Sequence, residues 1–317
     1  MKYLITGGAG FIGSNIARKL IEDGEHVRVL DNFSSGKEEN LVEIINDIEL
    51  IEGDIRDYWT VSSTVKGMDY VLHQAALPSV PKSILNPLSA NAVNIDGTLN
   101  VLEASRLAGV KRFVMASSSA VYGESVELPK HEGIIPSPLS PYAVAKLTNE
   151  YYCKVYNDLY KLPTVALRYF NIFGPRQDPK SEYAPVIPRF ITLLHSGQKP
   201  TIYGDGEQSR DFIYIDNAVE ANLLAARNPA LSGQVFNVAN GFQCTLNQLL
   251  ERLRQILGVN LPAEYAPARE GDIRHSYASI EKLKSYGFNG SVGLDEGLQR
   301  TVAFFTAPST TRTHISR

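Results

Sequence analysis

Apolar residues follow two alternating rhythms through the first half of the chain. Short apolar runs recur: Tyr3-Leu4-Ile5, His26 to Leu30, Ile48 to Ile51, Tyr70 to His73, Arg112 to Ala116 and Thr164 to Tyr169. Their length, and the absence of strict polar alternation, predict strands buried on both faces. Between the first two runs, Ile12, Ile16 and Leu20 recur every four residues with Ala17 and Ile21 beside them, until Gly24. That period predicts a helix. Further helical segments are expected near Leu88–Ala108 and Pro141–Leu159. Strand and helix taking turns predicts parallel βαβ units, an α/β fold built on a doubly wound parallel sheet.

The character changes at Gly174–Pro185, a stretch rich in proline and charge. A second, smaller α/β lobe is expected from there. It does not take the remainder cleanly, because Gln234-Val235-Phe236-Asn237-Val238-Ala239 again reads as a buried parallel strand, so the lobes interleave. The expected division is 1–173 with return segments at about 211–240 for the first lobe, and 174–210 with 241–306 for the second. Leu246–Leu257 reads as an amphipathic helix, Gly293–Phe305 as a last helix, and 307–317 as a frayed tail. The helices near 88–108 and 141–159 carry surplus apolar positions, which serve either to cover the sheet or to form a homodimer interface.

Composition adds limits. At 317 residues the chain exceeds the usual single-core size. A net charge of −3 and a pI near 6.1 give no general attraction to nucleic acid or to anionic membrane, so anion binding must be local. There is no run of about 18 apolar residues, and the N-terminus enters a strand at once, which reads as a soluble, cytoplasmic protein. Cys153, Cys244 and the six histidines form no metal-type spacing.

Candidate chemistry begins where the first strand runs into Gly7-Gly8-Ala9-Gly10-Phe11-Ile12-Gly13. Gly7 permits a tight turn, Gly10 lets phosphates approach backbone N–H groups, and Gly13 lets the helix press on the strand. The helix N-terminus then faces an anion with free donors. Asp31, ending the second strand, lies where a carboxylate accepts both hydroxyls of an adenosine ribose. Tyr142 and Lys146, four apart, share one helix face. An ammonium near a phenol lowers the phenol's pKa, preparing a general base. Ser117-Ser118-Ser119 lies upstream at a strand end, where one hydroxyl could share a substrate oxygen with Tyr142.

Taken together these residues resemble the extended short-chain dehydrogenase/reductase family, with its Rossmann-type sheet, and its nucleotide-sugar 4-epimerase branch in particular. The motifs are Thr6 through Gly13, Asp31-Asn32, Asp54-Ile55, His73-Gln74-Ala75-Ala76, Ser117 through Gly123, Pro141 through Lys146, Arg168-Tyr169-Phe170-Asn171 and Ser209-Arg210-Asp211-Phe212. The resemblance implies tightly bound NAD. Gly7, Gly10, Phe11 and Ile12 would hold its pyrophosphate, Asp31 and Asn32 its adenosine ribose, and Asp54 and Ile55 its adenine. Ala75, Asn91, Tyr142, Lys146 and Tyr169 would line the nicotinamide side, with Gly13, Ser35, Gly36, Gln74, Ala76 and Ser117 completing the cofactor set. Alignment on Val121-Tyr122-Gly123 makes Ser118 the catalytic serine beside Tyr142 and Lys146, with Ser117 as the fallback.

By the same resemblance Asn171, Arg210, Arg269 and Asp272 would hold the diphosphate and uridine ribose of a UDP-sugar. Thr201, Ile202 and Tyr203 would border the uracil, and Ser79, Ser118, Tyr142, Val186 and Ser276 would face the sugar. Dehydratases and decarboxylases of the family carry an acid just before Val-Tyr-Gly; here Ser119 and Ala120 stand there, which leaves only reversible oxidation at C4, as epimerisation requires. Ser276 falls on the family's size gate, where a small residue admits 2-acetamido sugars. Arg176-Gln177-Asp178-Pro179 with Tyr183 through Pro188 resembles the loop of UDP-N-acetylglucosamine 4-epimerases. Pro78 and Pro185 depart from that subgroup by stiffening and filling the sugar pocket. Plain and N-acetylated UDP-hexoses therefore both stay open. The rivals are a UDP-glucuronate 4-epimerase, a net oxidoreductase releasing NADH, and a non-catalytic nucleotide sensor.

Overall fold

Seven parallel strands form the centre of the protein, and the computed structural model describes residues 1–179, 185–268 and 273–307. The first half runs β1 (Lys2–Thr6), α1 (Phe11–Glu22), β2 (His26–Asp31), β3 (Ile48–Glu52), α2 (Tyr58–Val65) and β4 (Tyr70–His73). It continues through α3 (Val80–Leu85), α4 (Pro87–Asn91), α5 (Gly97–Leu107), β5 (Arg112–Ser118), α6 (Pro141–Asp158), β6 (Thr164–Tyr169) and β7 (Asn171–Phe173). The second half runs α7 (Val186–His195), β8 (Thr201–Tyr203), β9 (Ser209–Arg210), β10 (Phe212–Tyr214), α8 (Ile215–Arg227) and β11 (Gln234–Val238), then β12 (Cys244–Thr245), α9 (Leu246–Leu257), β13 (Glu264–Ala266), α10 (Glu281–Lys284) and α11 (Leu294–Thr306).

The sheet order is β11-β6-β5-β4-β1-β2-β3. Its switch lies at β1, flanked by β2 on one side and β4 on the other; in such sheets ligands bind outside the strands' C-terminal ends at that point. Successive side chains enter opposite cores. Ile5, Val29, Leu72, Val114 and Leu167 pack on the α1/α8 face, while Leu4, Leu30, Val71, Phe113, Met115 and Ala166 pack under α2, α5 and α6. The strands are apolar throughout because both faces are covered. Asp23 caps α1 and Gly24 follows in a left-handed conformation (φ 76°), which ends the helix as its position in the apolar pattern predicts.

The helical segment expected near Leu88–Ala108 is present, with one irregularity: α4 and α5 are joined by a wider π-type turn over Ala92–Asp96. That turn shifts which side chains face inward.

The remaining strands form three small pairs, β7 with β10, β9 with β12, and β8 with β13. α7, α9 and α11 pack together over them. β11 lies at the edge of the main sheet beside β6, as the buried run at 234–239 predicts. Along α6, Val144, Tyr151, Val155 and Leu159 lie on one exposed face, and Ile84, Leu85 and Leu88 of the neighbouring α3 and α4 are exposed too. Among the described residues no helix is long and apolar enough to cross a membrane. Of the expected frayed tail at 307–317, residues 308–317 lie outside the described residues.

Candidate active site

The glycine turn is built tightly against its surroundings. Gly7 (φ 71°) allows no side chain, since a Cβ there would lie 2.6 Å from the Ala75 nitrogen. A Cβ on Gly13 would come within 2.3 Å of the Gly7 carbonyl oxygen. Gly10 differs: a Cβ there would meet nothing closer than that oxygen, at 3.2 Å, so the protein's own packing does not require it to be bare. At the start of α1, Gly10 offers no side-chain cap and the first turn carries no acid. The helix therefore presents uncapped N–H donors to an anion. Asp31, at the end of β2, accepts from the Ala9 N–H at 2.8 Å and the Phe33 N–H at 2.9 Å. Burial raises its pKa while these backbone bonds pull it down. Asn32 donates to Asp54 at 2.8 Å, and Arg56 holds the Asp54 carboxyl well below the usual range. Ile55 is buried against Gly97. Ser35 and Gly36 lie in the segment after β2, and a Cβ on Gly36 would crowd Asp31 at 2.8 Å. An uncapped helix start, a bare Gly10 and an acid at the end of β2 fit a dinucleotide.

At the end of β5 the two serines part company. Ser117 is buried, and its hydroxyl donates to Glu150 at 2.5 Å, so it points into the protein rather than to the cleft. Glu150 in turn accepts two bonds from Arg168, at 2.9 and 2.7 Å. Ser118 is partly exposed; its hydroxyl accepts from the Ala120 N–H at 3.2 Å and stands close enough to the Tyr142 phenol to pull that group's pKa down. Of the two serines, the geometry singles out Ser118 as the partner of Tyr142. The Ser117 hydroxyl is thus engaged by Glu150, which leaves the backbone of Ser117 for the expected place in the cofactor set.

Lys146 stands one turn along α6, its Nζ 5.8 Å from the Tyr142 ring centre and donating to the Ala116 carbonyl at 2.7 Å. Burial brings the Lys146 pKa down to about 8. The expected lowering of the Tyr142 pKa is not present in the protein alone: burial raises it, and only the Ser118 hydrogen bond pulls the other way. Both shifts have one cause, since desolvation disfavours phenolate and ammonium alike.

The start of α6 is fastened from below. The Tyr142 N–H donates to the buried Ser83 hydroxyl at 3.1 Å, and Ser79 caps α3 just before it. On the cofactor side, Asn91 lies exposed at the end of α4, whereas Asn94 is buried and accepts from the Leu77 N–H at 2.7 Å. The asparagine that reaches the 74–79 loop is thus Asn94, because the wide turn carries it inward and leaves Asn91 outside. Asn149 supports it by donating to the Asn94 carbonyl at 2.6 Å. Tyr169 is buried, with the Asn222 Oδ1 at 2.9 Å and the Gln74 Oε1 at 3.1 Å as alternative acceptors for its one hydroxyl proton. Asn222, on α8, has no sequence signal. Ala75 and Ala76 follow in the same partly exposed loop.

His73 lies beneath this loop between Thr6 (2.7 Å) and Thr98 (2.9 Å), and burial drives its pKa to about 3 from 6.5. The unfolded chain takes up the proton first, so this residue's contribution to stability is intact above pH 6.5 and falls as the pH drops towards 3. The slope approaches about 1.4 kcal/mol per pH unit, for a loss of about 5 kcal/mol in all. Denaturant titrations from pH 7 to 4 should show wild type losing about 3 kcal/mol of this and His73→Asn lacking that loss; parallel curves would refute the assignment.

Asn171 heads β7, with its N–H on the Asp211 carbonyl at 3.1 Å. Arg210 is on β9, and the Ser276 N–H donates to the neighbouring Ser209 carbonyl at 3.1 Å. The structure therefore brings Asn171, Arg210 and Ser276 onto adjoining chain segments. Asp211 between them is fully buried, bracketing the Asn240, Gly241 and Ala278 N–H groups at 2.8 to 3.1 Å, and burial pushes its pKa up to about 6. Thr201 and Tyr203 are partly exposed on β8, while the Ile202 side chain is in the core. Strand alternation turns the Ile202 side chain away from those of Thr201 and Tyr203, leaving its backbone between them. Val186 opens α7. Arg269 and Asp272 lie outside the described residues. A cleft of about 1350 Å³ between α1, α8 and α11, walled by Arg18, Arg176, Tyr214 and Phe304 among others, contains none of the predicted site residues.

A doubly wound sheet with a glycine turn at β1 and a serine, tyrosine and lysine gathered beyond β5 defines a protein of the extended short-chain dehydrogenase/reductase class. The chain belongs to the NAD dependent epimerase/dehydratase family, which it matches over residues 3–239, and its cofactor is NAD. Among solved structures, it resembles UDP-N-acetylglucosamine 4-epimerase from Methanobrevibacter ruminantium in complex with UDP-N-acetylmuramic acid, with 43% identity, TM-score 0.92 and coverage of 96% of this chain and 97% of that one. It also resembles the UDP-glucose 4-epimerase of Thermotoga maritima with UDP-glucose, with 41% identity, TM-score 0.92 and coverage of 96% and 98%. The Thermus thermophilus UDP-glucose 4-epimerase in complex with NAD shares 38% identity at TM-score 0.88, with coverage of 96% and 99%.

Proposed function

We propose that the protein is a UDP-hexose 4-epimerase that keeps NAD bound through turnover and accepts the N-acetylated pair, UDP-N-acetylglucosamine and UDP-N-acetylgalactosamine, with UDP-glucose and UDP-galactose as further substrates. The observation that carries this reading is the turn after β5. Ser118 and Tyr142 meet there, while Ser119 and Ala120 fill the next two positions without an ionisable group. A dehydratase or decarboxylase needs an acid or base at that point; an epimerase does not.

NAD, held by the glycine turn and Asp31, would supply the hydride acceptor for the sugar carbon. Tyr142 Oη takes the proton of the C4 hydroxyl and returns it, and Ser118 Oγ orients the same oxygen. Lys146 holds positive charge within reach of the phenol, anchored by Ala116. Asn171 and Arg210 engage the diphosphate, Thr201 and Tyr203 border the uracil, and Ser276 leaves space at the sugar. The exposed apolar face of α6 with Ile84, Leu85 and Leu88 is read as a homodimer interface, since apolar area of this kind is stabilised by a second copy.

The test is to incubate purified protein, without added cofactor, with UDP-glucose, UDP-N-acetylglucosamine and UDP-glucuronate in turn, and to resolve the products. Interconversion of the N-acetylated pair at a rate equal to or above that of the plain pair is expected, and sedimentation of the same preparation should give a dimer. Accumulation of NADH or of a 4-keto sugar would sink the epimerase reading, exclusive turnover of UDP-glucuronate would move it to that substrate, and a monomer would refute the interface.

A further inference from the structure

Arg18, Glu43 and Arg176 form a cluster that the proposed reaction does not use. Arg18, on α1, donates to Glu43 Oε2 through Nη1 and to the Asn40 carbonyl through Nη2 at 2.7 Å. Arg176, from the turn after β7, donates to the same Glu43 oxygen at 3.0 Å. The three side chains are only 10%, 19% and 7% exposed, so one carboxylate serves two guanidiniums nearly out of water. Arg176 holds this contact from a left-handed backbone (φ 70°), unusual for a residue with a side chain, and its guanidinium lies over the Phe304 ring at 5.5 Å. A second link runs beside the first, with Lys37 Nζ 3.3 Å from Asp178.

These links join two segments that differ in origin. One is the 37–43 segment of the first lobe. The Lys37 N–H and the Asn40 side-chain amide both donate to the Ala9 carbonyl, at 3.0 and 2.9 Å, and the Ala9 N–H donates to Asp31. The segment is thus tied directly to the glycine turn and to the ribose acid. The other is the 176–178 segment, where the chain sets out for the second lobe.

We infer that the pairs Arg176–Glu43 and Lys37–Asp178 are a clasp that holds the 37–43 segment against the adenosine end of the NAD site and so retains the cofactor. The clasp rests on NAD as the cofactor and deepens the proposal that NAD stays bound. Lifting the segment must separate Glu43 from two buried cations and leave both uncompensated, which is unfavourable in a medium that solvates charge poorly. The Lys37–Asp178 pair is more exposed, at 39% and 36%, and contributes less.

The experiment follows NAD rather than turnover. Wild type, Arg176→Gln and Glu43→Gln are purified with bound NAD and desalted into NAD-free buffer, and the NAD still bound is quantified chemically over time. Release about tenfold faster from Arg176→Gln, where Glu43 keeps Arg18 as its counter-charge, and faster still from Glu43→Gln, which strands both arginines, is expected. Arg176→Gln leaves Arg18 and Glu43 paired, so melting of the NAD-free protein should stay close to wild type. This variant decides the matter even if Glu43→Gln fails to fold. Release from Arg176→Gln within twofold of wild type would overturn the clasp. Failure of the epimerase reading would instead appear as an absence of product in every variant, with the release rates unaffected.

Discussion

Tyr142→Phe should lower kcat by about a thousandfold, the middle of the range for loss of a positioned general base, while NAD stays bound and KM for the UDP-sugar changes little. The substitution removes one oxygen and leaves the ring packed at the head of α6, where the Ser83 hydroxyl still accepts the backbone N–H of residue 142. Ser118 then faces the sugar oxygen alone, and a serine hydroxyl is too weak a base to replace a phenolate. Lys146 keeps its bond to the Ala116 carbonyl, so the loss is confined to proton transfer. Steady-state kinetics with quantification of bound NAD checks this. Activity within tenfold of wild type would reject Tyr142 as the base.

Glu150→Ala is expected to cost about 3–5 kcal/mol of folding stability, the range for stranding one member of a buried ion pair. Glu150 accepts both Arg168 bonds and the Ser117 hydroxyl, and each charged side chain of the pair is about 5% exposed or less. Without it the Arg168 guanidinium remains in the interior with the Tyr122 ring 4.7 Å away but no counter-charge. The double variant Glu150→Leu/Arg168→Met should recover much of the loss, because neither charge is then buried alone. Denaturant unfolding of the three proteins measures it, and a cost below about 1 kcal/mol for Glu150→Ala would show the pair to be dispensable.

The central sheet was legible because its chemistry is repetitive. Runs such as Tyr3-Leu4-Ile5 are apolar on both faces, and a strand ending in Gly7 or in Asp31 announces its own direction. The glycine turn could be read residue by residue, since Gly7 and Gly13 are bare for reasons of close approach that their spacing implies. What escaped depended on facing. Ser117 and Ser118 are adjacent in sequence, and only the pleat decides that one enters the Glu150 network while the other meets Tyr142. Asn91 and Asn94 are a turn apart, and an irregular helix, invisible to a period-based reading, buries Asn94 against the 74–79 loop and leaves Asn91 exposed. Asn222 and Asp211 act through partners far along the chain. The raised Tyr142 pKa follows from burial that no spacing can report.

The position of β11 carries a consequence for how the protein is made. The edge strand beside β6, and α8 against α1, both come from sequence beyond Asn171, after the chain has already entered the second lobe. During synthesis the first half therefore leaves one sheet edge, and the part of the sheet face over β4, β5 and β6 that α8 covers, bare until Val238 has emerged from the ribosome. It cannot mature ahead of the rest as an independent N-terminal unit. The two lobes are acquired together, and a nascent chain halted between them exposes an open, strongly apolar parallel sheet that invites chaperones or aggregation.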